Sequence, residues 1–231
     1  MQIENHQHPA IAAAVMTPAA GPRLDTPGPG MRVKRLGLVE FHPTYAAMRQ
    51  FTSSRHEDTP DELWILQHPS VYTAGLACRP EHLPRTSKIP LERVDRGGQI
   101  TYHGPGQVVM YTLLDLARRR LKIRQLVGLL EQAVIDTLGE YHVQAERKSG
   151  APGVYVRGAK IAALGLRVRR GGCYHGVALN VDMDLAPFLA IDPCGYPGLA
   201  VTQTRDLGIK ASADELGERL AARLVQLMEQ P

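Results

Sequence analysis

Spaced apolar positions first divide the chain into helical and extended stretches. Over 124–138, Leu126, Leu129, Leu130, Ala133, Val134 and Leu138 recur at intervals of three to four, which draws one apolar face along a helix. Similar patterns predict helices over 45–55 and 216–228. Elsewhere the pattern shortens to runs suited to strands. Positions 62–67 read Glu-Leu-Trp-Ile-Leu-Gln and are broken at once by His68-Pro69. Positions 35–39, 94–96, 108–113 and 174–181 also read as strands. Positions 153–156 and 160–168 read as two arms of a hairpin, with Arg157-Gly158-Ala159 near its turn. Strands and helices mix without regular alternation, which predicts an α+β fold rather than a doubly wound sheet.

Residues 1–30 show neither period and are rich in proline, alanine and glycine, so they read as a disordered tail. Met31 follows directly and is a possible alternative start. The remainder, 31–231, suits one domain, and 44% apolar residues are enough for a core. A net charge of +4 is mild and fits an acidic protein partner at least as well as nucleic acid. Aromatic content of 5% leaves little material for base-stacking platforms. Three cysteines, Cys78, Cys173 and Cys194, form no CxxC pair, which argues against a disulfide framework or a zinc site and for a reducing cytoplasm. The histidines show no metal-ligand spacing, and no metal is expected. No apolar run approaches the roughly 20 residues that span a bilayer. The short apolar run at 11–15 has no basic residue before it and makes a poor secretory signal.

Five places can carry chemistry. The run from Arg96 to Gln107, Arg-Gly-Gly-Gln-Ile-Thr-Tyr-His-Gly-Pro-Gly-Gln, lets backbone approach a ligand closely and has Arg96 and His103 as polar handles. It reads equally well as an ordinary hairpin loop. Lys160 lies in an apolar strand, where it either points to solvent or is buried with a partner. Cys194 sits in Asp-Pro-Cys-Gly-Tyr-Pro-Gly, a tight loop of the kind that often carries reactive groups. A thiol with a nearby lysine can become a nucleophile near neutral pH. Most free cysteines are instead small buried hydrophobes, and Cys173 and Cys78 compete for the role. His175 reads as a proton-transfer or substrate-orienting group, or as a structural histidine. The basic run 118–124, with Arg167, Arg169 and Arg170, reads as solvated charge or as a docking patch for an acidic protein.

Five of these runs, in this order, closely resemble the lipoyl(octanoyl) transferases: His68-Pro69-Ser70-Val71-Tyr72-Thr73, Arg96 to Gln107, Gly158 to Arg170, His175 to Asp184, and Pro193 to Gly198. The resemblance extends over nearly all of 33–209. It implies the catalytic domain shared with biotin and lipoate protein ligases, with mixed or antiparallel sheets flanked by helices. It implies octanoyl transfer from acyl carrier protein to the target lysine of lipoyl domains, in 2-oxoacid dehydrogenases and the glycine cleavage H protein. It makes Cys194 the acyl-thioester nucleophile and Lys160 the group that lowers its pKa. The acyl-binding walls become Arg96, Gly97, Gly98, Gln99, Ile100, Thr101, Tyr102 and His103, with Ala163, Leu164, Gly165, Gly176, Val177 and Ala178. No cofactor is implied, since acyl carrier protein brings the acyl group on its phosphopantetheine, and the protein is expected to be a monomer. This sequence departs from the pattern at Thr112, where the family usually has proline, and at Cys78 and Cys173. An ATP-dependent ligase on the same fold is the nearest rival. A non-enzymatic module that binds carrier or lipoyl domains is a more distant one.

Overall fold

The computed structural model describes residues 31–84, 87–192 and 198–229. The tail read over 1–30 and the loop around Cys194 lie outside the described residues. In chain order the described residues form β1 (Met31–Leu38), α1 (Phe41–Ser53), β2 (Asp61–Gln67), β3 (Val71–Ala74), β4 (Leu91–Arg93), β5 (Ile100–His103), β6 (Gln107–Asp115), α2 (Ile123–Gly139), β7 (Glu146–Lys148), β8 (Ala151–Val156), β9 (Ala159–Arg169), β10 (Gly172–Asn180) and α3 (Ala213–Glu229). Among them, seven strands make one sheet in the order β1-β2-β6-β10-β9-β8-β7, and three make a second in the order β4-β3-β5. Pairing is parallel at β1/β2 and β3/β4 and antiparallel elsewhere, so the expected α+β class with mixed sheets is what forms.

The near-continuous apolar runs of β2 and β6 reflect burial on both faces. Leu63 and Ile65, with Val108, Met110 and Leu114, face α2 and α3. Trp64 and Leu66, with Val109, Tyr111 and Leu113, face α1 and its Met48. The apolar stripe read over 124–138 is the face of α2 that meets the sheet, through Leu126, Leu130, Ala133, Val134 and Leu138.

Three sequence expectations move. The strand read at 94–96 lies instead at β4. Val94 still donates to the Ala74 carbonyl at 2.9 Å, but Asp95 and Arg96 turn away from the sheet. Part of the glycine-rich run, read as loop, is β5, paired with β3 from Val71↔His103 to Ala74↔Ile100. The helix expected from 45 starts at Phe41, because Pro43 falls in its first turn, where a missing N–H costs nothing.

A buried carboxylate locks the end of β2. Asp61 is 1% exposed, and its oxygens accept from Arg55, from Arg119, from Arg118 Nη2 at 2.7 Å and from the Asp115 N–H at 2.8 Å. Two arginines of the basic run 118–124 are therefore structural. Removing one partner of a buried ion cluster leaves the others uncompensated. Asp61→Ala is expected to lower stability by about 3–5 kcal/mol, read as a fall in the urea midpoint at unchanged slope.

Candidate active site

The two sheets enclose a cleft. Its floor is the β9/β10 pair, where Ala163 faces Ala178 and Gly165 faces Gly176 across the strands. Small side chains there leave a trough, and Leu164 and Val177 add apolar surface. The 96–99 turn crosses over it, pinned by the Gly97 N–H donating to the Leu166 carbonyl at 3.0 Å. The enclosed cavity is narrow, about 60 Å³. Of the fourteen wall residues taken from the resemblance, all line this cleft except Gly97 and Tyr102. Gly97 makes the bond to β9, and Tyr102 packs away with Tyr72 and Phe188.

A polarised run of hydrogen bonds backs the cleft. Arg96 is 9% exposed, and its Nη2 donates to the Thr73 carbonyl at 2.6 Å and to Thr73 Oγ1 at 3.0 Å, while Nη1 donates to the carbonyls of Gly97 and Gln99. The Thr73 hydroxyl then meets His103 Nε2 at 3.4 Å. His103 Nδ1 donates to Gln107 Oε1 at 2.7 Å, Gln107 Nε2 to Asn180 Oδ1 at 2.9 Å, and Asn180 Nδ2 to the Thr202 carbonyl at 2.9 Å. Every donor points the same way, and the run ends beside Lys160, whose carbonyl accepts from the Thr202 N–H at 3.0 Å.

Lys160 is 3% exposed, so of its two sequence readings the buried one holds. Its Nζ donates to the Pro152 carbonyl at 2.8 Å and lies 5.5 Å from the centre of the Tyr155 ring. Gly153 makes this room: a Cβ there would stand 2.3 Å from Lys160 Cε, and its φ of +138° suits glycine. A small pocket at Lys160 shares Thr101 and Ala163 with the cleft. Cys194 lies outside the described residues, but the chain on either side of it is anchored. Upstream, Asp192 accepts from His82 Nδ1 at 3.1 Å. Downstream, the Ala200 carbonyl accepts from the Lys160 N–H at 2.8 Å, and Val201 bridges Lys160 in parallel. The other thiols have plainer surroundings. Cys173 is buried on β10 with its Sγ on the Thr112 carbonyl, and burial pushes its pKa up to about 11. Burial also raises Cys78.

Beside the Arg96 turn the cleft meets aromatic rings. Phe41, Tyr45, His175, Tyr111 and His68 form a closed circuit with centroid spacings of 5.2 to 6.1 Å. His175 has φ +65°, rare for a non-glycine residue inside a strand. That kink brings it to the side already taken by Tyr174, and both reach Asp95, His175 Nε2 at 3.3 Å from Oδ1. Burial pushes the Asp95 carboxyl up, yet the bonds from His175, Tyr174 and Tyr45 hold it well below the usual carboxylate range. Burial lowers His175, opposed by that same bond to Asp95. Sequence reading missed Asp95, Phe41, Thr73 and Tyr111. Asp95 had a signal in its place beside Arg96, whereas Phe41 fell outside the helix as expected.

The description "Lipoyl protein ligase A/B catalytic domain" matches residues 43–225. The chain belongs to that family. Among relatives named "Octanoyltransferase", one from Dechloromonas aromatica (strain RCB) is 61% identical over 198 residues, covering 86% of this chain and 97% of the relative. Another, from Azoarcus sp. (strain BH72), is 60% identical over 218 residues, covering 94% and 96%. The crystal structure of lipoate-protein ligase A bound with ATP superposes with a TM-score of 0.72 at 17% identity, covering 86% of this chain and 85% of that one. That likeness is one of fold.

Within this family member, burial lowers His68 to about 4 and His103 to about 3. Both rings protonate near 6.5 when the chain unfolds. The unfolded state therefore binds more protons over that window, and stability falls as pH drops from about 6.5 toward 4. Each ring contributes a slope of up to about 1.4 kcal/mol per pH unit. Thermal melts across this range should show the fall, and His68→Asn should flatten it.

Proposed function

We propose that this protein transfers octanoyl from the phosphopantetheine thioester of acyl carrier protein to the ε-amino group of the target lysine in lipoyl domains. Such a step begins endogenous protein lipoylation. The observation that carries this reading is the burial of Lys160 beside an apolar cleft, next to the segment that leads out of Cys194. Relatives of nearly the same length, named for octanoyl transfer, support it. The acceptors on this reading are 2-oxoacid dehydrogenase lipoyl domains and the glycine cleavage H protein, and the protein acts in the cytoplasm as a monomer.

The chemistry follows from the two groups. Lys160 takes the proton of the Cys194 thiol, and the thiolate attacks the thioester carbonyl. Backbone N–H groups nearby hold the oxyanion. The carrier thiolate leaves and receives the proton from Lys160, which leaves octanoyl on Cys194. The acceptor amine then attacks this second thioester. Neutral Lys160 takes the amine proton and returns it to the departing Cys194 thiolate. Exchange between thioesters is nearly balanced and thioester to amide is downhill, so the reaction needs no ATP and no cofactor.

Intact-protein mass spectrometry after mixing with octanoyl-acyl carrier protein, without ATP, tests this directly. One hydroxylamine-labile octanoyl group should appear and map to Cys194. It should be lost in Cys194→Ser and kept in Cys173→Ser and Cys78→Ser. Lys160→Ala should slow acylation by about 100-fold or more, and a normal rate would remove Lys160 from the mechanism. Octanoylation only when ATP and free octanoate are supplied would make the protein a ligase instead.

A further inference from the structure

The aromatic circuit has a geometry that the transfer chemistry does not use. Three of its members, Phe41, Tyr111 and His175, line the cleft, and the other two stand behind them. They sit away from Lys160. On β9 the register runs from Lys160 through Ala163 and Gly165 to Leu166, which pairs with His175, so the small-residue floor of the cleft lies between Lys160 and the rings. Four of the five rings are fixed by polar bonds. His68 Nδ1 donates to the Val39 carbonyl and its Nε2 accepts from Tyr111 Oη, each at 2.7 Å, while Tyr45 and His175 bond Asp95. Phe41 is the member with no polar atom in its side chain. It is 5% exposed, and its ring is wedged against Tyr45, His68 and His103. A wall fixed in this way yields little to an extra methylene, because close-packed rings do not compress.

We propose that this circuit closes the far end of the acyl cleft and sets the longest straight chain accepted, with Phe41 the residue that meets the terminal methyl. The inference rests on the acyl-transfer reading for its substrate class. The rings themselves are neutral at physiological pH, since burial lowers His68 and His175 and raises Tyr45 and Tyr111. An apolar chain end is the group such a surface favours, and a charged or hydroxylated end would lose its water there without a partner.

Position 41 can be changed without orphaning a buried polar group, so substitutions there read chain length alone. Hexanoyl, octanoyl, decanoyl and dodecanoyl carriers would compete for one lipoyl domain, with products counted by mass. Phe41→Leu should raise decanoyl relative to octanoyl by about tenfold, and Phe41→Trp should raise hexanoyl relative to octanoyl by about as much. Shifts in opposite directions are not expected from simple loosening of the fold. Free hexanoate to dodecanoate, titrated against the same proteins, should show the same reordering. A ranking of carboxylates unmoved by both substitutions overturns the ruler. If no carrier supports transfer while the carboxylate ranking moves, the ruler stands and the transfer reading falls. In the wild-type protein, an octanoate with a terminal photoreactive diazirine should label Phe41, Tyr111 or His175. Labelling confined to Thr101 and Ala163 overturns the proposal.

Discussion

A guanidinium buried between two sheets must have its donors met, and meeting them shapes this molecule around its cleft. Arg96 bonds the backbone of Thr73 on β3 and draws in the carbonyls of Gly97 and Gln99, which folds the 96–99 turn tightly against the sheet. The turn then reaches β9 through Gly97. An unmet donor here would cost more than an ordinary hydrogen bond contributes, so these bonds are most important for what their loss would do. They also explain the glycines. A Cβ at Gly75 would stand 2.4 Å from the Gly98 carbonyl oxygen, and one at Gly165 would stand 3.1 Å from Arg96 Cδ. The glycine-rich run and its distant partners on β3 and β9 are consequences of where this one side chain lies.

From Arg96 the same constraint passes through Thr73, His103, Gln107 and Asn180 to the segment beside Lys160. Each group is buried, and each has the donor or acceptor its neighbour requires. His103 can accept from Thr73 and donate to Gln107 only as the neutral Nδ1–H tautomer, and its depressed pKa preserves that form. A network of this kind is worth most when it is complete. It joins the Arg96 turn to the segment that bonds Lys160.

Much of this was legible in sequence, and the reasons divide cleanly. Local pattern found α2, α3, β2 and the β8/β9 hairpin, because their apolar periods are strong and their turns carry glycine. It misplaced β4 and missed β5, since a stretch rich in glycine gives no period, and β5 exists only through its pairing with β3. The residues drawn together by resemblance do line one cleft, apart from Gly97 and Tyr102. Lys160 could not be assigned from its own strand, because what buries it is Pro152, Gly153 and Tyr155 from the neighbouring strand. Phe41 gave no signal by type or spacing, because long-range packing of α1 brings it to the cleft, and Asp95 had only its place beside Arg96, since a bend after β4 carries it there.

Thr112 has a local physical role. Its hydroxyl donates to the His175 carbonyl at 3.1 Å. His175 occupies a left-handed conformation that costs on the order of 1–3 kcal/mol, and such a conformation persists only where its surroundings fix it. Here the carbonyl is held by Thr112, the ring by Asp95, and the flanking Gly176 lies so close to β6 that a Cβ would stand 2.0 Å from the Met110 oxygen. The kink lets two consecutive residues of one strand, Tyr174 and His175, face Asp95 together, which regular alternation forbids. The strain is thus offset by a half-buried carboxylate with three donors, and it places a neutral ring at the end of the cleft where an alternating strand would have turned that side chain toward α2.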